Sequence, residues 1–288
     1  MNATVVLLTV LGIILAIFSF VFVKDYFANK ENLEKDTSFV KSGIIGFLTN
    51  FFDTLGIGSF APTTALLRTF KQIDDKVLPG TLNVACTVPV IVEAFAFIKT
   101  VEVEPMTLTA LLVAASVGSY VGAGVMSKLP KATVQKTMAI CLAVAGLVML
   151  SQLLGIFPGG GEAIGLTGVA LIIGVVGNFI LGALMTAGVG LYAPCMALVY
   201  LLGMSPAVAF PIMMGSCAYL MPICSVKFIK EGAYNRKASM AITIFGVVGV
   251  LVAVFLVTSL PLTILKWLVV CVIGYTSISM FQASRKAA

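Results

Sequence analysis

The stretch GIGSFAP, from Gly56 to Pro62, places two glycines and a proline near the middle of a long apolar segment. The same pattern returns at Gly188 to Pro194 as GVGLYAP, in which both glycines, the aromatic residue and the Ala-Pro pair are kept. Glycine and proline both interrupt regular helices. A helix-breaking motif that occurs twice inside apolar segments predicts two broken helices around which the rest of the chain is arranged.

The composition defines the setting of these motifs. Of the 288 residues, 60% are hydrophobic and only 10% are charged, which excludes a soluble domain and predicts an all-α, polytopic membrane protein. The net charge of +6 is typical of cytoplasmic loops rather than of nucleic-acid binding. The apolar segments cover residues 3–23, 42–70, 77–98, 106–127, 132–154, 165–203, 206–226, 237–258 and 261–281.

The composition also excludes several kinds of chemistry. The chain has no histidine, which excludes HExxH proteases and histidine-ligated haem. Its six cysteines lack CxxC spacing, so neither a zinc site nor a disulfide framework is indicated. No nucleophile and base occur in a recognisable arrangement. We therefore expect no metal, no cofactor and no enzymatic activity.

The positive-inside rule distinguishes two ways of threading the segments 42–70 and 165–203. If each segment crosses the membrane once, seven of the 18 basic residues fall on the outer side. If each enters and returns on the same side, only Lys99 and Lys266 do so. We therefore predict two re-entrant hairpins, the second alternatively two tightly paired helices, besides about seven full spans. The N-terminus would lie outside and the C-terminus in the cytoplasm.

The two motifs belong to a duplication that covers nearly the whole chain. Ile44-Ile45-Gly46 reappears as Ile172-Ile173-Gly174, and Gly118 matches Gly249. We predict a first transmembrane repeat over residues 1–130, a second over 131–260, and an additional C-terminal helix with a tail over 261–288. Because each half has an odd number of full crossings, the two repeats must be inverted, an arrangement typical of secondary transporters.

The broken helices predict a binding site at membrane depth. Irregular backbone is tolerated there only where it is buried in protein or lines a cavity. Pro62 and Pro194 suit the first turn of a helix, so each hairpin would present free N–H groups and a partial positive charge. Two such helix ends predict an anion site. The alternative is that the glycines only permit close helix packing, as we expect for Gly118 and Gly122.

Polar side chains near both motifs can complete such a site. Hydroxyl groups and asparagines in membrane helices also bond to their own backbone or between helices, so both roles stay open for them. The predicted substrate-binding residues are Gly56, Gly58, Ser59, Pro62, Thr63, Thr64, Gly188, Gly190, Tyr192, Pro194, Cys195, Asn50, Asn83 and Asn178.

Two acidic residues within apolar segments are candidates for ion coupling. Asp53 lies three residues before Gly56, at the end of a half-helix where the helix dipole disfavours a negative charge. We predict a proton or Na⁺ site there, with an ion pair to Arg68 or a wet helix end as the alternative. Glu93 is the second candidate, and its distance from Lys99 predicts a position near the interface that is partly wet.

At these motifs the chain resembles the sulfite exporter family TauE/SafE. The resemblance spans about residues 42–281. It rests on GIGSFAP and GVGLYAP, the polar helix entries at 77–83 and 204–214, the charged turn at 227–236 and Lys128-Leu129-Pro130. The family's turn is usually richer in glycine, whereas Ser59 and Phe60 follow Gly58 here.

The resemblance implies a secondary transporter of the cytoplasmic membrane that moves a small anion such as sulfite, a sulfonate or a sulfur-bearing carboxylate. Inverted repeats favour alternating access, with proton or sodium coupling. The expected partners are the small anion, the coupling ion and the lipid bilayer, with no nucleic acid. The alternative is a cation-handling transporter or channel that uses Asp53 and Glu93.

Overall fold

The computed structural model describes residues 3–97, 103–156, 161–188, 190–256 and 262–287. Within these ranges the only extended pairing is an isolated bridge between Ala163 and Met204. The predicted all-α class is confirmed. The helices are α1 Ala3–Ala28, α2 Phe39–Thr54, α3 Phe60–Thr69, α4 Leu78–Phe97, α5 Pro105–Met126, α6 Lys131–Leu153, α7 Gly168–Met185, α8 Tyr192–Leu201, α9 Pro206–Lys230, α10 Arg236–Leu256 and α11 Leu262–Ala287.

In the described part of the chain, seven helices are long and apolar enough to cross a membrane, namely α1, α4, α5, α6, α7, α9 and α10. The polytopic architecture is therefore confirmed. Six of the seven match predicted spans. The seventh, α7, is the longer arm of the second broken segment. The remaining predicted span, 261–281, corresponds to α11. With 10 residues each, α3 and α8 have about half of the roughly 20 residues that a crossing requires.

Both broken segments fold back so that their two ends meet. Thr37, just before α2, donates its hydroxyl to the carbonyl of Gln72, just after α3, at 2.7 Å. At the second segment, the N–H of Ser205, after α8, donates to the carbonyl of Ala163, before α7, at 2.8 Å. Each segment therefore returns to the face from which it starts. Since α8 is too short to span, the second segment is a hairpin rather than a pair of full spans.

The packing of the second half repeats that of the first. Helix α2 lies along α10 and α7 lies along α5, while α4 meets α9 and α6 meets α11. This pattern relates α2–α6 to α7–α11, and α1 packs outside it, against α9 and α4. Each unit has three long helices after its hairpin, so the two units have opposite orientations. The pairing favours units of residues 39–153 and 168–287 over the boundaries at 130 and 260, which stay a prediction.

Glycines make the closest contacts between the two units. A Cβ atom at Gly118 would collide with the backbone of Phe179 on α7, and one at Gly249 would collide with the backbone of Phe47 on α2. These two glycines are matched in the sequence, and they occupy equivalent interfaces in the fold. Gly122 approaches the backbone of α7 in the same way. Close helix packing therefore accounts for these glycines.

Most basic residues gather at one end of the helix bundle, which we call the basic face. It comprises residues 24–41, 68–76, 127–136, 227–237 and 279–287, joined by contacts such as Lys131–Asp74 at 2.5 Å and Arg236–Asp25 at 2.8 Å. The other end, the opposite face, comprises residues 103–107, 152–156, 161–168 and 201–206. Lys99 lies outside the described residues. The hairpins enter from different faces, the first from the basic face and the second from the opposite face.

Candidate functional site

The two Gly-x-Gly motifs form the turns at the tips of the hairpins. Gly56, Gly58, Gly188 and Gly190 have φ angles of +82°, +90°, +84° and +78°. These values lie in the left-handed region, which glycine adopts without the steric cost that a side chain adds. The repeated sequence therefore produces the same backbone geometry twice, once in each inverted unit.

Each tip presents the N-terminus of a short helix. Helix α3 begins at Phe60 and α8 at Tyr192, so Pro62 and Pro194 occupy the first turn, where the missing N–H costs no helical hydrogen bond. The backbone N–H groups of residues 60–61 and 192–193 have no acceptor among the described residues. The two tips also approach each other, since the Cβ of Phe60 lies beside Gly190.

A cavity of about 50 Å³ lies between the two tips. One wall is formed by Val90 of α4 and Cys217 of α9, and the other by Ala145 and Met149 of α6 and Ile273 of α11. Its volume has room for about three to five water-sized groups. The predicted site residues that line it are Asp53, Gly58, Ser59, Gly190, Tyr192 and Pro194.

Asp53 supplies the only charged side chain among the described residues that line this cavity. It is buried at the end of α2, and Ser59 donates its hydroxyl to the Asp53 carboxylate at 2.7 Å. That bond spans the glycines of the first tip and holds the turn closed. Arg68 pairs instead with Asp75 at the basic face. The alternative of an ion pair between Asp53 and Arg68 is therefore wrong.

The equivalent position in the second tip is Met185, three residues before Gly188. Its side chain also lines the cavity and accepts a contact from the thiol of Cys217 at 3.8 Å. The carboxylate is thus present in one tip only. The two halves share a backbone but differ in their chemistry at the centre.

Glu93 lies one turn beyond Val90 on α4, behind the cavity wall. It is completely buried, and among the described residues neither of its carboxylate oxygens has a hydrogen-bond partner. The prediction that Glu93 is partly wet is wrong, because α4 is enclosed by the surrounding helices over most of its length. Glu93 is close enough to Asp53 and Tyr192 to interact with both electrostatically. The Tyr192 hydroxyl likewise has no partner among the described residues.

Three further predicted residues lie in the first hairpin, and one of them, Thr63, joins its two arms. Thr63 on α3 donates its hydroxyl to that of Thr49 on α2 at 2.8 Å. Asn50 donates to the carbonyl of Gly46 on its own helix at 2.8 Å, while its carbonyl oxygen has no partner among the described residues. The buried Thr64 hydroxyl is also without a partner there. None of the three lines the cavity.

Asn83, Asn178 and Cys195 lie at interfaces between helices. Asn83 on α4 accepts from the thiol of Cys224 on α9 at 3.3 Å. Asn178 on α7 donates to the carbonyl of Leu111 on α5 at 2.7 Å and receives the thiol of Cys195 at 3.7 Å. These bonds fit the interhelical alternative, and a direct role in substrate binding stays a prediction for all three.

The sequence motifs do not identify the apolar walls of the cavity. Ala145, Met149 and Ile273 belong to α6 and α11, and Val90 belongs to α4. They lie far along the chain from the tips, and their residue types are those of any membrane helix. Only the pairing of α6 with α11 and of α4 with α9 brings them to the site.

Two recesses lie on either side of the cavity. The recess toward the opposite face, of about 100 Å³, includes Gly56, Gln152 and Met196, and it shares Tyr192 with the cavity. The recess at the basic face, of about 320 Å³, shares no lining residue with the cavity. The cavity thus shares part of its lining with the recess toward the opposite face and none with the recess at the basic face.

The recess at the basic face is lined by charged residues. Arg68, Lys71 and Lys131 face Asp74 and Asp75 there. Although partial burial opposes ionisation of Asp74, the hydrogen bond from Lys131 lowers the pKa of its carboxyl below the ordinary value. Positive and negative charges are thus interleaved at this end of the fold.

An inverted pair of units, each with a broken hairpin that meets the other at a small cavity, is the architecture of membrane transporters of the inverted-repeat class. The model of the TauE/SafE sulfite exporter family matches residues 1–149, more than half of the chain. The protein belongs to this family and is a transmembrane transporter. The members of this family are transporters rather than enzymes. No curated protein and no solved structure matched the chain.

Proposed function

We propose that the protein is a secondary transporter that moves a small sulfur-containing anion, such as sulfite or a sulfonate, by alternating access. The observation that carries this proposal is the meeting of two helix N-termini, from opposite orientations, at one small cavity. Unpaired N–H groups and the partial positive charge of a helix N-terminus favour an anion. The membership of the TauE/SafE family supports a sulfur anion in particular.

The substrate contacts would come mainly from the tips. The N–H groups of residues 60–61 and 192–193 would bind the anion, with Ser59 and Tyr192 as side-chain donors. Glycines at Gly58 and Gly190 let the backbone approach the ligand closely. Asp53, with Glu93 behind it, would carry the coupling proton or Na⁺, since a buried carboxylate without a cationic partner is costly unless it binds a cation.

The placement of the recesses supports alternating access. In one state the anion would enter from the opposite face, where the recess shares part of its lining with the cavity. Access from the basic face would require α3 and α8 to shift against α6 and α11, the helices they touch. With the protein in the cytoplasmic membrane, the basic face would lie in the cytoplasm, a side that the positive-inside rule favours for Lys and Arg. The N-terminus would then lie outside.

Reconstituted proteoliposomes test the proposal. Liposomes that contain the protein should take up radiolabelled sulfite faster than protein-free liposomes, and unlabelled sulfite or a sulfonate should compete. Absence of uptake and of exchange across a panel of sulfur anions and small carboxylates would contradict it.

One observation favours a second candidate function. The described residues of the cavity include an acid but no base, which would also suit a cation pathway through Asp53 and Glu93. Flux of Na⁺ or protons that is unchanged by removing every sulfur anion from the assay would identify a cation-handling transporter or channel. Flux that requires the anion supports the first function.

A further inference from the structure

The charges that surround the cavity restrict the kind of anion that it can take. The titratable groups facing it or lying directly behind its wall are Asp53 on α2, Cys86 and Glu93 on α4, Tyr192 on α8 and Cys217 on α9. Helices α6 and α11 contribute only apolar side chains, at Ala145, Met149 and Ile273. Among the described residues, every titratable group at this site is therefore neutral or negative, and none is a lysine or an arginine.

The donors of the site are dipoles rather than full charges. Two helix N-termini each supply about half of a positive charge, so together they match about one negative charge. A second negative charge on the ligand would be buried without a counterion, close to a carboxylate. Uncompensated burial of charge is among the costliest events in a protein interior.

Two buried groups indicate that the site is prepared for a proton. Both oxygens of Glu93 and the hydroxyl of Tyr192 are enclosed without a partner of ordinary hydrogen-bond geometry among the described residues, and the two side chains lie close to each other. Tyr192 lines the cavity itself. A protonated carboxyl is a hydrogen-bond donor, so a proton on Glu93 removes a repulsive charge and lets the carboxyl bond to Tyr192, which lines the cavity.

We infer that the site takes its anion in a singly charged form, together with a proton held by Asp53 and Glu93, and discriminates against doubly charged anions. This inference rests on the proposed function and adds the charge class of the substrate. The cavity volume of about 50 Å³ suits an anion of about three to five heavy atoms. Hydrogen sulfite and methanesulfonate meet both conditions, whereas sulfate meets only the condition of size.

Methanesulfonate and sulfate are a matched pair for the test because they share size and tetrahedral shape but differ by one charge. We expect methanesulfonate to inhibit uptake of labelled sulfite by the wild-type protein at a concentration at least about tenfold lower than sulfate, a ratio that corresponds to about 1.4 kcal/mol. Inhibition by sulfate at an equal or lower concentration would overturn the inference while leaving anion transport established. No uptake of any anion would overturn the proposed function itself.

The pH dependence of methanesulfonate uptake gives a second readout. The charge of methanesulfonate is constant over the pH range used, so any change in its uptake with pH reflects protonation of the protein rather than of the substrate. We expect uptake to fall as the pH rises on the side of entry, because the proton must enter with the anion. A flat profile would overturn the inference.

A double variant, Asp53→Asn with Glu93→Gln, tests the source of the discrimination. Both groups are then permanently neutral, so the preference for methanesulfonate over sulfate should become smaller. The preference is measured as the ratio of the concentrations at which the two anions stabilise the purified protein against heat in detergent. The control Asp74→Asn removes a carboxylate from the recess at the basic face and should keep the wild-type ratio. An unchanged ratio in a folded double variant would overturn the role given to the two acids. The wild-type comparison stands if the variant does not fold.

Discussion

Arg68 and Asp75 form a two-pronged ion pair, in which Nε donates to Oδ1 at 2.9 Å and a terminal nitrogen donates to Oδ2 at 3.2 Å. The pair connects α3, the short arm of the first hairpin, to the turn that precedes α4. Ser279 on α11 accepts a further bond from Arg68, and Gln135 on α6 donates to Asp75. Four elements thus meet at the basic face, whose recess shares no lining residue with the cavity.

This ion pair should stabilise the protein measurably. Its side chains are only 16% and 14% exposed, so solvent screens the pair weakly. In a double-mutant cycle with Arg68→Gln and Asp75→Asn, we expect a coupling energy of about 1–3 kcal/mol, measured by denaturation in detergent. The control pair Lys131–Asp74 is 44% and 54% exposed and should give about 0–1 kcal/mol. Equal coupling energies in the two cycles would contradict the expectation that the less exposed pair stabilises the protein more.

The hairpin tips should not tolerate a side chain at their second glycine. Gly58 and Gly190 have φ angles of +90° and +78°, and alanine in this conformation costs about 1–2 kcal/mol. Because no wall confines Gly58, the strain should be relieved by a shift of the tip. We expect Gly58→Ala and Gly190→Ala to lower the initial rate of sulfite uptake about tenfold or more, with folded protein recovered in normal yield.

The control for the tips is Gly232→Ala. Gly232 has a φ of +62° in the turn between α9 and α10, with open space around it, so the backbone cost is similar but the position is remote from the cavity. Its uptake rate should stay within about twofold of wild type. If Gly232→Ala lowered the uptake rate as much as Gly58→Ala does, global stability rather than the geometry of the tips would limit transport.

The inverted packing makes a prediction at two distant positions at once. Gly118→Ala and Gly249→Ala would each push a Cβ atom into the backbone of the helix opposite. Overpacking costs about 1–3 kcal/mol, so both variants should unfold at lower temperature, and by similar amounts. Thermal denaturation monitored by static light scattering or by intrinsic fluorescence in detergent measures the shift.

Two other glycines within long helices serve as controls for that comparison, and one of them lies on the same helix as Gly118. A Cβ atom at Gly124 on α5 would reach only Lys227 at an ordinary contact distance, and Gly274 on α11 has open space around it. Alanine is the better helix former by about 1 kcal/mol, so both control variants should keep or gain stability. Destabilisation of all four variants alike would show that helix packing does not distinguish these positions.

The sequence predicted the architecture because membrane insertion leaves strong, local signals. Both the all-α class and the two hairpins could be predicted from three features. These are the length of the apolar segments, the excess of basic residues on one side, and the repeat of GIGSFAP as GVGLYAP. The repeat boundaries at 130 and 260 stay a prediction, since α1 and α6 are equally plain apolar helices. Their difference is one of packing, α6 against α11 and α1 against α9, which no single-sequence pattern encodes.

Some residues of the candidate site could likewise be predicted from the sequence, and others could not. The glycines, Ser59, Asp53 and Tyr192 could be predicted because polar or flexible residues are expensive at membrane depth. Asn83 and Asn178 carry the same signal, yet the structure has them bonded at helix interfaces. The burial of Glu93 could not be predicted from its distance to Lys99, because it depends on how deeply α4 is enclosed. Met149 and Ile273 carry no signal at all.

Asp53 should couple transport to an ion gradient. Among the described residues it is the one charged side chain that lines the cavity and Ser59 is its one side-chain partner, while the equivalent residue in the second tip is Met185. In Asp53→Asn the amide can still bond to Ser59 but cannot exchange a proton or bind Na⁺ as an anion. We expect sulfite uptake driven by an imposed proton or Na⁺ gradient to fall to the rate without a gradient, while heat stabilisation by methanesulfonate is retained.

Asp74→Asn is the matched control for coupling, because it makes the same chemical change at the basic face, where Lys131 binds the carboxylate at 2.5 Å. Gradient-driven uptake by that variant should stay close to wild type. If Asp53→Asn responds to the gradient as the wild-type protein does, coupling must come from Glu93 alone. The single variant Glu93→Gln then separates the two acids, since it should lose the gradient response only if that carboxyl carries the ion.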